Sequence, residues 1–154
     1  MTPVRSAQVF LVPVDFSPAS LDALRAAGKL AERMDATITL LQVRPISDVR
    51  AALDERREDL LKGPPRSLAG KLRRHYKDRL ERAAALVGAA ETRLASGRAS
   101  REILRAAKGC DLVVMGRSGR GGLSELLGGT TSKVLAACPV PVVVVPARRA
   151  RRSR

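Results

Sequence analysis

The stretch "QVFLVPVDFSPASLDALRAAGKLAERMDATITLLQV", Gln8–Val43, decides the fold. Its first part, Gln8 to Val14, is a short run of β-branched and large aliphatic residues, the pattern of a strand buried on both faces. The run stops at Asp15. Ser17 then offers a helix N-cap, and Pro18 sits at the first helical position, where a missing N–H costs nothing. Leu21, Leu24, Ala27, Ala31 and Met34 recur at helical spacing and predict a helix with one apolar stripe. Ala36–Val43, "ATITLLQV", is again strand-like. A β–α–β unit follows, and its default geometry is a parallel pair with a right-handed crossover.

Outward from this unit the alternation continues. "DVRAALDERREDLL" is a candidate helix, broken by "KGPPRS". "LAGKLRRHYKDRLERAAALVG" is a charged amphipathic helix with Leu68, Leu72, Tyr76, Leu80 and Ala84 on one stripe. "ETRLAS" is a less apolar run suited to an edge strand. "GRASREILRAAKG" is a short helix, "DLVVMG" a buried strand, "TTSKVLAAC" a helix and "PVPVVVVP" the last strand. The order β-α-β-α-β-α-β-α-β predicts an α/β three-layer sandwich around a five-stranded parallel sheet. We expect one domain over residues 1–146 and a basic, disordered tail over 147–154.

Composition narrows the chemistry. The 154 residues suit a single domain, and a chain of this length buries roughly 70% of its unfolded surface. The net charge is +14, of which five arginines lie in the C-terminal "ARRARRSR", leaving +9 on the body. Such charge attracts polyanions and allows non-specific nucleic-acid binding. Dedicated nucleic-acid modules add stacking aromatics, and here there is no Trp, one Tyr and two Phe. Cys110 and Cys138 lack metal-ligand spacing and His75 is the sole histidine, so no metal site is expected. His75 reads as solvated and Cys138 as core. With no signal peptide or apolar span in view, the reading is a cytoplasmic protein without membrane insertion.

The chemistry concentrates in "MGRSGRGGLSELLGGTTSKVL", Met115–Leu135. Glycine tolerates positive φ and lets backbone N–H groups approach an anion. Thr130, Thr131 and Ser132 stand where a helix begins, and helix N-termini favour phosphate. The same three residues are ordinary N-caps, and Asp15 serves equally as a cap or as a ligand contact. Arg117 and Arg120 read as surface charge or as phosphate contacts. No Walker loop is present, because Gly121 is followed by Gly122 and Leu123, and the first strand lacks the dinucleotide fingerprint. In open α/β sheets ligands lie beyond the carboxyl ends of strands where the order reverses. Asp15 and Gly116 both occupy such ends, and they face each other if the first and fourth strands are neighbours. Glu125 is the single acid in the glycine segment, and nothing pairs it with Asp15. We therefore expect no catalytic residues and at most slow turnover.

The spacing Gly116-x₂-Gly119-x₉-Gly129-Thr130 resembles the nucleotide-binding pattern of universal stress proteins. "VFLVPVDFSPAS" is similar to that family's opening strand and loop, and "DLVVMG" and "CPVPVVVVP" to its fourth and fifth strands. The resemblance implies strand order 3-2-1-4-5, the adenine nucleotide alpha hydrolase-like fold. It implies ATP as ligand and a homodimer through the last strand, Val140–Val145; the hydroxyl groups of the glycine segment could hold Mg²⁺ together with the phosphate oxygens. It places Pro13, Val14 and Asp15 at the adenosine end and Val43 in the adenine pocket. Met115 and Gly116 then approach the ribose and α-phosphate, and Gly119, Gly129, Thr130, Thr131 and Ser132 hold the phosphates. The implied role is an ATP-binding stress-response module with unidentified protein partners. The alternatives are a slow ATPase or phosphotransferase in the same pocket, and a polyanion-binding protein acting through its basic surface and tail. The charged Arg44–Arg66 region and the tail depart from the pattern.

Overall fold

The computed structural model describes residues 7–46, 68–89, 91–117 and 129–146. The candidate helix over 48–61 and the basic tail lie outside them. Val9–Pro13 forms β1, and Ser17 starts α1 (Pro18–Met34), its Oγ accepting a hydrogen bond from Ser20 N at 3.2 Å. Asp35, in the left-handed region at φ 50°, closes the helix and turns the chain into β2 (Thr37–Arg44). Beyond residues 47–67 come α2 (Leu68–Val87), ended by Gly88 at φ 60°, and β3 (Glu91–Ser96). Then follow α3 (Ala99–Ala107), β4 (Leu112–Gly116), α4 (Gly129–Ala137) and β5 (Val142–Val145).

The five strands are parallel and run in the order β3-β2-β1-β4-β5. The expected α/β architecture and strand order are therefore observed. One side chain helps to pin the central pairing. Asp111 accepts Val9 N on Oδ2 at 2.8 Å, while its own N–H donates to Val9 O at 2.8 Å. That double link holds β4 against β1, in the register Phe10↔Leu112.

Alternate residues of the inner strands feed two cores. On one side Phe10, Val12, Ile38 and Leu40 pack against Leu24, Ala27 and Ala31 of α1 and Leu80 and Ala83 of α2. On the other Leu11, Leu41, Val113 and Met115 pack against Ile103 and Ala107 of α3 and Val134 of α4. Complete burial of a Leu or Phe contributes about 1.5–3 kcal/mol, so these stripes and not helix propensity hold the layers together. The α1 stripe is as expected at Leu24, Ala27 and Ala31 and departs at its ends, where Leu21 is half-buried. Ala23 is buried in addition, whereas Met34 on the last turn is 49% exposed. On α2 the buried positions are Leu80 and Ala83, with Leu72 and Tyr76 half-buried. Among the described residues no helix is long and apolar enough to cross a membrane.

Candidate functional site

The strand order reverses between β1 and β4. From β1 the chain crosses to β2 on one flank, and from β4 it continues to β5 on the other. Successive crossovers thus leave the carboxyl ends of β1 and β4 uncovered, and a cleft forms there. Pro13, Val14 and Asp15 follow from β1, Leu41 and Val43 from β2, and Met115 and Gly116 from β4. Ser17 and Ser20 of the α1 start, Ala99 and Ile103 of α3 and Thr130 of α4 complete the lining. The enclosed volume is about 110 Å³. Three helices, α1, α3 and α4, turn their N-terminal ends toward it, so partial positive charge surrounds the opening.

The β1–α1 turn is fixed by its own side chains. Asp15 Oδ1 accepts the Ser17 N–H at 2.9 Å, and between them Phe16 adopts φ 63°. A bulky residue in the left-handed region is strained by about 1–3 kcal/mol. The Arg79 guanidinium of α2 lies 4.2 Å over the Phe16 ring, which holds that residue against α2. The protein atoms around Asp15 raise its pKa, but hydrogen bonds from Ser17, side chain and backbone, and from Ser20 outweigh them. The carboxyl is thereby held below the ordinary carboxylate range although it reaches solvent. It is ionised at neutral pH, and it is the one ionisable side chain among the described lining residues.

The β4–α4 side is built of backbone and small groups. At Gly116 an added Cβ would fall on the Ala19 carbonyl and reach within 2.8 Å of Ser20 N. A side chain is excluded there because α1 begins against the end of β4. Gly116 therefore has a packing reason that its place in the glycine pattern did not suggest. The next amide, Arg117 N, donates to Val145 O at 2.9 Å and is committed to the sheet. Thr131 is fully buried and its Oγ1 donates to Gly116 O at 3.4 Å, so its hydroxyl ties α4 to β4 instead of facing the cleft. An added Cβ at Gly129 would meet nothing within 4 Å among the described residues.

Of the residues named from sequence, Pro13, Val14, Asp15, Val43, Met115, Gly116 and Thr130 thus line one cavity. Gly129, Thr131 and Ser132 stand at the α4 start outside its lining. Gly119, Arg120 and Glu125 lie outside the described residues. Sequence reasoning missed Ser20, Leu41, Ala99 and Ile103. Leu41 and Ile103 look like any core residue, and only the sheet order brings the α3 start to the ends of β1 and β2.

The profile of the universal stress protein family matches residues 7–146. The chain belongs to this family. No curated protein matches it significantly. Among solved structures, the hypothetical protein MJ0577 shares 25% identity at a TM-score of 0.72, over 93% of this chain and 98% of its own. The universal stress protein UspA from Lactobacillus plantarum shares 26% at a TM-score of 0.65, over 90% and 97%. A universal stress protein solved in complex with cAMP shares 22% at a TM-score of 0.60, over 93% and 100%. The last likeness is one of fold.

Proposed function

We propose that this universal stress protein binds an adenine nucleotide, ATP in the first instance, in the β1/β4 cleft. It acts as a nucleotide-dependent regulatory module in a stress response, without needing turnover. The observation that carries the reading is the cleft itself. An apolar wall, one ionised carboxylate and three helix N-termini meet where the strand order reverses. The complex of a family member with cAMP supports an adenine ligand.

The residues present suit the parts of that ligand. Leu41, Val43 and Ile103 offer an apolar wall to a base. Asp15 is an acceptor for a ribose hydroxyl and repels phosphate, so the phosphates run the other way, toward Gly129–Ser132 and, by the glycine pattern, Gly119. The 110 Å³ cavity is below the roughly 300 Å³ at which ligand pockets usually begin, so it takes the base end of the ligand, and the sugar and phosphates lie beyond it. The N–H groups of the α4 first turn are the candidate donors there. Among the described residues no cluster of acids, thiols and imidazole is placed to hold a metal. In this reading Mg²⁺ rides on the phosphates.

Binding is favoured over catalysis by the state of Asp15. A carboxylate with a depressed pKa, already accepting the Ser17 amide, is a weak general base. The homodimer through β5 belongs to the same proposal. β5 is an edge strand whose Val143 is 36% exposed, an apolar edge that a second copy would cover.

The test is direct. Protein purified without added nucleotide is denatured, and the supernatant is chromatographed. Calorimetric titration of emptied protein with ATP, ADP, AMP and cAMP then ranks the ligands. Release or binding of an adenine nucleotide is expected. An empty supernatant and no heat with any of the four would sink the proposal. Multiple-turnover phosphate release lost on Asp15→Asn would favour the ATPase instead.

A further inference from the structure

A second cavity lies at the opposite end of the molecule. It is a groove of about 680 Å³ between α1 and α2, against the amino end of β2, and nothing in the nucleotide reading uses it. Its residues include Arg25, Lys29 and Glu32 of α1, Ile38 of β2, and Leu86 and Val87 of α2.

The construction is specific. α1 and α2 approach closely at one point, where a Cβ on Gly28 would come within 3.1 Å of Val87 Cγ1. A side chain at Gly28 would force the Val87 side chain, which lines the groove, to give way. Below that contact the floor is apolar, with Ile38 only 2% exposed. Beside it Leu86 is 75% exposed, although α2 buries other apolar residues one and two turns earlier, Ala83 and Leu80. Leaving a leucine so far out of the core forgoes burial that the helix has available nearby.

Charge specifies the other half of an occupant. Arg25 and Lys29 stand one helical turn apart on the exposed side of α1, against the single carboxylate Glu32. Arg25 makes a 3.1 Å pair with Asp22, whose side chain is only 13% exposed, while 62% of the Arg25 side chain stays exposed and leaves its outer side for a second carboxylate. The chain as a whole carries +14, so its field adds to the attraction for an anionic partner. An apolar floor with one apolar wall fits a side chain, not a phosphate backbone. That favours a peptide over nucleic acid.

We infer that the α1–α2 groove docks an acidic segment of a partner protein. One apolar side chain of that segment seats against Leu86, Val87 and Ile38, and flanking carboxylates pair with Arg25 and Lys29. Docking of this kind concentrates its energy in the central apolar anchor, while the charges set rate and selectivity. The groove and the cleft share α1 but no lining residue, so this inference and the nucleotide reading can fail separately.

The test uses the full chain and a fluorescein-labelled synthetic peptide that places one leucine among glutamates. Anisotropy is expected to show binding that weakens with added salt. Lys29→Glu and Leu86→Ala should each weaken it about tenfold, which is about 1.4 kcal/mol. Both positions are solvent-exposed, so thermal melts should stay unchanged, as should nucleotide titrations. In amide NMR spectra the peptide should move Gly28, Lys29 and Gly88 and leave Gly116 and Thr130 in place. Three results would overturn the inference. Equal affinity for an all-glutamate peptide would make it bulk electrostatics. Displacement of the peptide by a random DNA duplex, with the same residues shifted, would make the groove a nucleic-acid surface. Disruption of a dimer by Leu86→Ala in size-exclusion chromatography would make it a self-interface.

Discussion

Between β1 and α1 the chain takes four residues, Val14 to Ser17. Between β4 and α4 it takes twelve, 117 to 128, yet both helices begin at the rim of the same cleft. In the short junction three of the four positions have a local task, while Val14 N bonds Leu41 O across the sheet. Asp15 accepts the Ser17 amide, Phe16 carries the strained φ, Ser17 caps α1 and Pro18 starts it. In the long junction the described ends are held by contacts distant in sequence. Gly116 lies against Ala19, Arg117 N bonds Val145 O, and Thr131 reaches back to Gly116 O. The short rim is set chiefly by neighbours in the chain, with Arg79 stacking on Phe16 from outside, and the described ends of the long one by neighbours in space. Mutations should expose that difference, because local caps can be removed singly while a tertiary contact disturbs two elements at once.

The largest effect should come from the long side. Gly116→Val places a side chain on the Ala19 carbonyl, and we expect a loss of about 3 kcal/mol or more in urea unfolding. Gly129→Val, at the other end of that junction, meets no described atom. It should keep its melting temperature and lose nucleotide affinity by more than about tenfold. If Gly116→Val is as stable as the parent, the close approach is not tight. If Gly129→Val binds normally, the phosphates do not lie where we put them.

On the short side the expected losses are smaller. Ser17→Ala removes the acceptor for Ser20 N and should cost about 1 kcal/mol in the same unfolding assay, with Ser17→Asp restoring it. Asp15→Asn keeps an oxygen for the turn but loses the charge. Because the folded Asp15 pKa is below its unfolded value, the charge contributes stability above the unfolded pKa. That contribution fades as pH falls through the folded value. The stability gap between parent and Asp15→Asn should thus be constant near neutrality and shrink below pH of about 4. A gap that widens on acidification would contradict the hydrogen-bond account. Smallest of all, Arg79→Ala loses the stack over Phe16 and should cost about 0.5–1 kcal/mol.

The same contrast separates what could be read in advance from what could not. "DFSPAS" announced its turn and cap because the partners lie within five positions of each other. The strands and helices were legible for a related reason, since hydrophobic period is a local property of the chain. The α1 stripe was off at its ends. Met34 is apolar by type but sits on the last turn, where the sheet no longer covers it. Gly116 lines the cleft, and it also has a second neighbour that the sequence did not show. Its spacing to Gly119 suggested a backbone open to ligand, whereas the nearest atoms belong to the start of α1, nearly a hundred residues earlier.

Sequence by itself determined the described element types, the Ser17 cap and the family pattern, because each rests on residues a few positions apart or on a fixed motif. Tertiary structure alone decided which of those elements became a site. Leu41, Ala99 and Ile103 carry no signal of their own, and they reach Asp15 and Gly116 only because β1 pairs with both β2 and β4. It also decided that the Thr131 hydroxyl faces inward and that Leu86 faces water, since burial depends on what packs opposite and no residue specifies its own neighbour.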